Sequence, residues 1–494
     1  MKVDTCETAI IGGGVSGLRL ARLLSDGSER VVVLEASPKV GGRCQTVCTA
    51  SGKCHDSGAL RVHASHTHAL GVLKSHGLTL VSMPPGEHVV RANGEGDLLD
   101  IYARDGMPEG LGASLPLEGA KGRHAMMHAW DRLGPGGTRA LQDASGYDDL
   151  PVMAATEFAS SHDHTREGDQ GDGSGFSTIK EGWQELLRRM AAGLDVRTDH
   201  QVIHAQRESE GGYRLVFRQG HTPLLAKRLV LAVPPDAAMR VGGLGPELAS
   251  RACLHAMTPF PLLRVFAHFD RPHGVKGHLF VATGAVRQIQ EIDERLLMIN
   301  YCGGRTAEAW NDGQLSDRTH AETLLLREAR RCVPGLPKPA SIHWHHWPRG
   351  VHIWRPGTDA QAMAALATRP LWPADGSVYM TGEALSPNFH AWVEGALRAA
   401  GATYQAMKQE WALPKSLPAI SKLQRDQVVV GGLVIDFARI NWLRLHPGGK
   451  EALDAHPKED VTHMFLGQAA FHSLASLNHV FRGTVGVWVP PNQQ

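Results

Sequence analysis

Thr8-Ala9-Ile10-Ile11-Gly12-Gly13-Gly14-Val15-Ser16-Gly17 is the stretch on which the reading of this chain turns. Residues 8–11 read as a buried strand. Leu18 to Ser25 then has helical spacing, and Val31-Val32-Val33-Leu34 reads as a second strand that ends at Glu35. Strand, glycine-rich turn, helix and strand make a βαβ unit with GxGxxG at its first turn. Gly12 allows the tight turn, Gly14 lets a pyrophosphate approach the backbone, and Gly17 lets helix and strand pack closely. The helix N-terminus then faces the phosphates. Glu35, 21 residues after Gly14, stands where a carboxylate binds ribose hydroxyls, with Ala36 beside it.

The chain has 494 residues, which predicts two or three domains. Its 42% apolar and 20% charged residues describe a soluble globular protein. A formal charge of +1 argues against nucleic acid as a partner, because phosphate binding needs a basic excess. No apolar run is long and uncharged enough to span a bilayer. Met1 to Thr8 lacks a basic region followed by an apolar one, so no signal peptide is expected. The seven cysteines include no CxxC pair, and Cys44, Cys48 and Cys54 read as reduced thiols. A cytoplasmic setting is the corresponding expectation.

Gly41-Gly42-Arg43 follows Glu35 closely. A Gly-Gly-Arg loop at this place resembles the flavin amine oxidase superfamily, and implies FAD with Gly42 and Arg43 turned over its phosphates. Residues 378–407, VYMTGEALSPNFHAWVEGALRAAGATYQAM, resemble that superfamily's second FAD signature. The resemblance puts Gly382 and Glu383 near the pyrophosphate and ribitol, and Trp392 and Val393 beside the isoalloxazine. The helix from Glu394 to Met407 would point its positive end at the flavin. No cysteine occurs in this stretch, so FAD is expected to be non-covalent. Val202, in DHQVIHAQ, with YRLVFRQG and RLVLAVPP after it, resembles the adenine-side strands.

The implied fold class is α/β: a Rossmann-type FAD-binding domain (1–75, 190–255 and 375–411) and an α+β substrate domain (76–189 and 256–374), the amine oxidase fold. Within the substrate segments the resemblance narrows to bacterial L-amino acid and tryptophan oxidases. Gly58-Ala59-Leu60-Arg61 places Arg61 where such oxidases pair an arginine with the substrate carboxylate; a surface or FAD-contacting arginine is the alternative. LLMINYCGG places Tyr301 where its hydroxyl would help hold that carboxylate, unless it is a core tyrosine. The runs from Gly146, Gly175 and His346 carry weaker likeness. His162 and His164 fall in a polar, glycine-rich stretch and suit a gate, a base or a plain loop. His343, His345 and His346 resemble a metal cluster at first sight, but adjacent strand residues point to opposite faces. One position departs from the superfamily: where many members have a lysine that holds a water near flavin N5, PFPLLRVFAHF has Arg264. An arginine stays charged and is no base, yet can order a water; it also fits a different substrate or impaired flavin chemistry.

Residues 412–422, with Pro414 and Pro418, read as a linker. The tail resembles cytochrome b5 and implies a small α+β domain over 418–490. His446-Pro447-Gly448-Gly449 matches that family's first haem-ligand loop, Asp460-Val461-Thr462 the next helix, and His472-Ser473 the second ligand. His446 and His472 would then be metal ligands to the iron of a b-type haem; a degenerate module used for packing is the alternative. Three readings stay open: an L-amino acid oxidase or dehydrogenase, an amine oxidase or desaturase for a substrate without a carboxylate, and a flavohaem electron-transfer protein. The partners implied are a small amine or amino acid, and oxygen or a redox partner as acceptor. Oligomeric state is open, a homodimer included.

Overall fold

The computed structural model describes residues 4–26, 29–49, 52–83, 88–91, 123–145, 148–158, 175–209, 211–244, 248, 252–275, 279–282, 285–358, 360–367, 378–386, 388–408, 419–430, 433–436 and 484–488. The strand Asp4–Ile11 starts earlier than its apolar core, and the helix Val15–Ser25 begins directly after Gly14 rather than at Leu18. Val31–Leu34 is a strand as expected, buried at every position. Such all-apolar strands suit the middle of a parallel sheet, covered on both faces.

Seven strands form that sheet. Its order runs Val202–Arg207, Tyr213–Phe217, Leu224–Leu231, Asp4–Ile11, Val31–Leu34 and Asp195–Arg197, with Val378–Met380 also paired to Leu224–Leu231. Three distant parts of the chain therefore contribute. The parallel register sets Ile11 beside both Leu231 and Leu34, and Leu231 beside Met380. The carboxyl ends of these four strands are level, which opens the crevice where ligands of open α/β sheets bind. The helix Val15–Ser25 buries Leu18, Ala21 and Leu24 against the sheet.

A second, six-stranded sheet has the order Ser341–Trp354, Met257–His268, Leu296–Gly303, Gln288–Asp293, Leu279–Ala282 and His88–Arg91. Period-two alternation divides its faces. Leu263, Val265 and Ala267 share an apolar cluster with Ala307, Trp310 and Leu325 of the helices Gly304–Ser316 and Arg318–Cys332. Leu262, Arg264 and Phe266 lie on the other face, and Leu262 and Arg264 look into the crevice.

Two expectations are corrected. Cys48 and Cys54 are joined in a disulfide, not left as thiols. They sit directly opposite each other in the hairpin of Thr46–Cys48 and Cys54–Asp56, where cross-strand neighbours are close enough to bond. The expected linker is also shorter than 412–422, because Ala419–Ile420 is a strand paired with Thr484–Trp488. That pair continues through Leu433–Asp436 to Gln427–Val430 in a four-stranded sheet. Val428 and Ile435 are buried in the same apolar cluster as Leu248 and Leu254 of the main body. His446 and His472 lie outside the described residues, as do His162 and His164. Among the described residues, no helix is long and apolar enough to cross a membrane.

Candidate active site

The three glycines of the first turn have distinct surroundings. A side chain at Gly17 would run into the Gly12 carbonyl, and one at Gly12 (φ +116°) into the Ala232 carbonyl. At Gly14 a side chain would meet nothing within 4 Å. Gly17 thus serves packing and Gly14 faces open space. Gly14 borders a cavity of about 720 Å³ at the level ends of the parallel strands. A smaller cavity of about 210 Å³ adjoins it, lined by Ala36, His200, Val202 and Arg218 among others. Gly12, Glu35 and Val233 border both. Glu35 is fixed at this junction: its Oε2 accepts from the Gly13 N–H at 2.8 Å and its Oε1 from the Ser37 N–H at 2.9 Å.

The far wall comes from the stretch after Val378–Met380. Gly382, Glu383, Trp392 and Val393 all line the large cavity, as do Gly42 and Arg43. Arg43 donates to Glu383 at 2.5 Å and to the Gly350 carbonyl at 3.0 Å. Burial would raise the Glu383 carboxyl, but the Arg43 guanidinium and the neighbouring His352 and His390 hold it well below its usual range. It therefore stands as a carboxylate, with its other oxygen accepting from the Ala391 N–H at 3.0 Å.

His390, which the sequence reading did not single out, is buried between two glutamates. Its Nδ1 meets Glu157, from the 148–158 segment, and its Nε2 lies 3.5 Å from Glu383. Burial opposes its charge, yet these two carboxylates win and raise its pKa. Phe389 (φ 56°) and Ala391 (φ 68°) on either side are in the left-handed region. Two such residues in a row of three store strain, which persists only where the surroundings enforce it. The sequence carried a weak signal here, since Phe-His-Ala-Trp has no glycine to absorb the turn.

Elsewhere on the cavity wall Arg61 lays its guanidinium over Phe176 at 4.7 Å and points toward Trp392 at 5.9 Å. No acidic side chain among the described residues pairs with it, whereas Arg43 is paired with Glu383 and Arg349 with Asp236. Arg264 donates to the Gly58 carbonyl and lies over the Tyr301 ring at 4.4 Å. Arg61, Arg264, Tyr301 and Trp392 thus border one cavity, continuous with the glycine turn and Glu35.

A model of flavin containing amine oxidoreductases matches residues 15–121 and 100–406. The chain belongs to the flavin-containing amine oxidoreductase family. Among the relatives of this family, bovine (Bos taurus) amine oxidase B is 35% identical over 85 residues, 17% of this chain and 16% of that protein. The L-amino-acid oxidase of Mus musculus is 31% identical over 110 residues, 22% of this chain and 18% of its own length. The matched stretches thus span less than a fifth of either relative. Two solved structures share the fold across most of the chain. A putrescine oxidase aligns with a TM-score of 0.65 at 18% identity, over 82% of this chain and 99% of its own. Cyclohexylamine oxidase from Brevibacterium oxydans aligns at 0.65 and 20% identity, over 81% and 98%. The family implies FAD, and the site fits it: two neighbouring cavities share a wall made of a glycine turn and a carboxylate, with a helix N-terminus at the larger one.

Proposed function

We propose that the chain oxidises the α-amine of an L-amino acid to an imine, which water hydrolyses to a 2-oxo acid and ammonia. The observation that carries this is Arg61, a cavity-lining guanidinium with two aromatic faces beside it and no carboxylate partner among the described residues. A substrate carboxylate can take both ends of its fork, and desolvation strengthens that pair. The Tyr301 hydroxyl would add a donor to the same carboxylate. Phe176 and Trp392 would flank the substrate, and Trp392 and Val393 the flavin. Bound FAD supplies the acceptor for the Cα hydrogen and its electron pair. Glu35 would hold ribose hydroxyls, Ala36 and Val202 the adenine side, Gly14, Gly42 and Arg43 the phosphates, and Gly382 and Glu383 the pyrophosphate and ribitol. Arg264, charged at any working pH, would order water and is no base. In this assignment 1–75, 190–255 and 375–411 bind the cofactor, and 76–189 and 256–374 the substrate.

Arg61→Met tests the reading. It should raise KM for amino acids by about 100-fold or more, since a desolvated charged pair contributes a few kcal/mol. KM for the matching decarboxylated amines should change little. Equal effects on both would favour the second reading, a substrate without a carboxylate. In that reading the packing of Arg61 on Phe176 and Trp392 would be its structural task. The tail resemblance adds a further proposal: His446 and His472 ligate a b-type haem that takes electrons from the flavin. It rests on the sequence alone, on the HPGG loop, Asp460-Val461-Thr462 and His472-Ser473.

A further inference from the structure

The strand Ser341–Trp354 carries His343, His345 and His346, and the amine site uses none of them. Alternation sorts them. His346 turns to the helical side, 3.7 Å from Glu308. His343 and His345 lie on the opposite face with Ser341 and Trp347. On the adjacent strand, Arg264 pairs with His345, Phe266 with His343, and His268 with Ser341. The disulfide-closed hairpin lays His55 across this face, its ring 4.5 Å from that of Phe266. His55 Nε2 is 2.7 Å from Nε2 of His345, and His55 Nδ1 is 3.1 Å from Nε2 of His268.

A metal ion would need its donor nitrogens aimed at one point about 2 Å away. His55 instead turns opposite nitrogens to its two partners, so the three rings form a row. A neutral imidazole has one N–H and one bare nitrogen. Two N–H···N contacts in series therefore run in one direction or the other. When a proton enters at Nδ1 of His345, its Nε2 proton passes to His55 Nε2. The Nδ1 proton of His55 then passes to His268 Nε2, and His268 gives up its Nδ1 proton. One proton crosses, and the row is left with reversed polarity.

The ends of the row lie in different places. His345 stands opposite Arg264, which lines the cavity. His268 is four residues further along its strand, about 13 Å at 3.3 Å per residue. His268 is itself buried, and beside it Lys53, which donates to the Phe269 carbonyl, reaches toward the exposed Asp270. The charged groups acting on the row are Arg264 at His345, Lys53 and Asp293 at His268, and Arg318 and Glu322 at His343. Burial, with help from the neighbouring histidines, lowers His55 to about 3 and His345 to about 4. The row is thus neutral at rest, and a proton crosses by a joint shift rather than by residing on one ring.

We propose that His345, His55 and His268 conduct protons between the cavity wall at Arg264 and the protein surface. The use of this path rests on the amine-oxidising reading. Conversion of an ammonium substrate to an iminium would send the Cα hydrogen with its electron pair to bound FAD, and one proton would leave nitrogen and have to exit the cavity. When molecular oxygen takes that hydrogen and electron pair to become hydrogen peroxide, one proton must return. Outward and inward passage set opposite polarities, so each turnover restores the row without turning a ring.

The test uses the full-length, FAD-loaded protein and its His55→Phe, His55→Gln and His346→Phe variants. Phenylalanine keeps the ring packed on Phe266 but carries no nitrogen, and glutamine covers the case in which that variant does not fold. With 15N-histidine labelling, NMR should show nitrogen–nitrogen coupling across both N–H···N contacts, kept in His346→Phe and lost in both His55 variants. A folded wild type without that coupling overturns the row. In the second arm the flavin is photoreduced without any amine and mixed with oxygen in weak buffer containing a pH indicator. Proton uptake should keep pace with flavin reoxidation in wild type and in His346→Phe. It should lag at least 10-fold in the His55 variants and recover with millimolar imidazole. Unchanged uptake, or slowing that imidazole does not rescue, overturns the path. So does tight binding of added zinc that is lost with His55. Neither arm uses an amine or amino acid, so failure of the amine reading, read as no bleaching by amines or amino acids, is separate.

Discussion

Gly14 and Gly17 stand three residues apart and should answer substitution in opposite ways. Alanine at Gly17 meets the Gly12 carbonyl, a backbone atom that cannot yield, so Gly17→Ala should unfold the first βαβ unit. Gly14 has extended backbone (φ −79°) and open space, so Gly14→Ala should keep the far-UV circular dichroism of the apoprotein while its flavin content falls. Retained flavin in Gly14→Ala would remove the pyrophosphate from that spot. Asp56 offers a pH test. Burial raises its carboxyl to about 6, against hydrogen bonds from Thr46 and the Trp183 N–H and the charge of Arg264. A carboxyl raised in the fold favours the native state at low pH, and that contribution is lost as pH climbs from about 4 to about 6. In Asp56→Asn the amide oxygen would accept the same two hydrogen bonds, and the side chain would not ionise. The variant should thus match wild type near pH 4 and exceed it at pH 8, by up to about 3 kcal/mol in denaturant melts, since one pKa unit is about 1.4 kcal/mol.

At the scale of elements, the hairpin Thr46–Cys48 and Cys54–Asp56 does more than its length suggests. It delivers His55 to one sheet and Asp56 to the first turn of the helix Trp183–Ala191. Its disulfide closes a short loop, for which chain entropy gives about 2 kcal/mol. Cys54→Ser should lower the denaturation midpoint accordingly and make it insensitive to reductant, whereas the wild-type midpoint should fall when reductant is added. A wild-type midpoint indifferent to reductant would return Cys48 and Cys54 to free thiols. The sequence reading missed this pair because cysteine count and spacing carry no register, and only the strand pairing places the two opposite each other. By contrast the strand–turn–helix at Thr8 to Ser25 was legible, since GxGxxG and apolar runs are local signals. So were the strands around Val202 and the helix after Trp392. His390 and the row through His55 were not, because each draws residues from far apart in the chain, and a single sequence shows no distances.

At the scale of the whole molecule, the tail is where reading and structure meet least. Its four strands put Val428 and Ile435 into the main body's apolar cluster, so at least this part is docked. The haem proposal separates from that packing. His446→Ala and His472→Ala should each abolish a haem absorption band in haem-supplemented protein and leave bound FAD unchanged. Removing residues 419–494 should in addition lower the melting temperature of the remainder, because it uncovers the surface that Val428 and Ile435 bury. A remainder with unchanged melting temperature would make the tail an independent unit.

The level strand ends have a consequence in time. Asp4–Ile11 emerges from the ribosome first, yet one of its two sheet neighbours is Leu224–Leu231, and Leu224–Leu231 in turn waits for Val378–Met380. At roughly 5–20 residues per second, the last of these strands is made about 20–80 seconds after the first. During that interval these largely buried strands have open hydrogen-bonding edges, the arrangement that invites pairing with another chain. The wall formed by Gly382, Glu383 and Trp392 is synthesised at the end of the same interval. Loading of a cofactor into this crevice is therefore a late event, and the open edges before it are the interval in which the nascent chain is most exposed to aggregation.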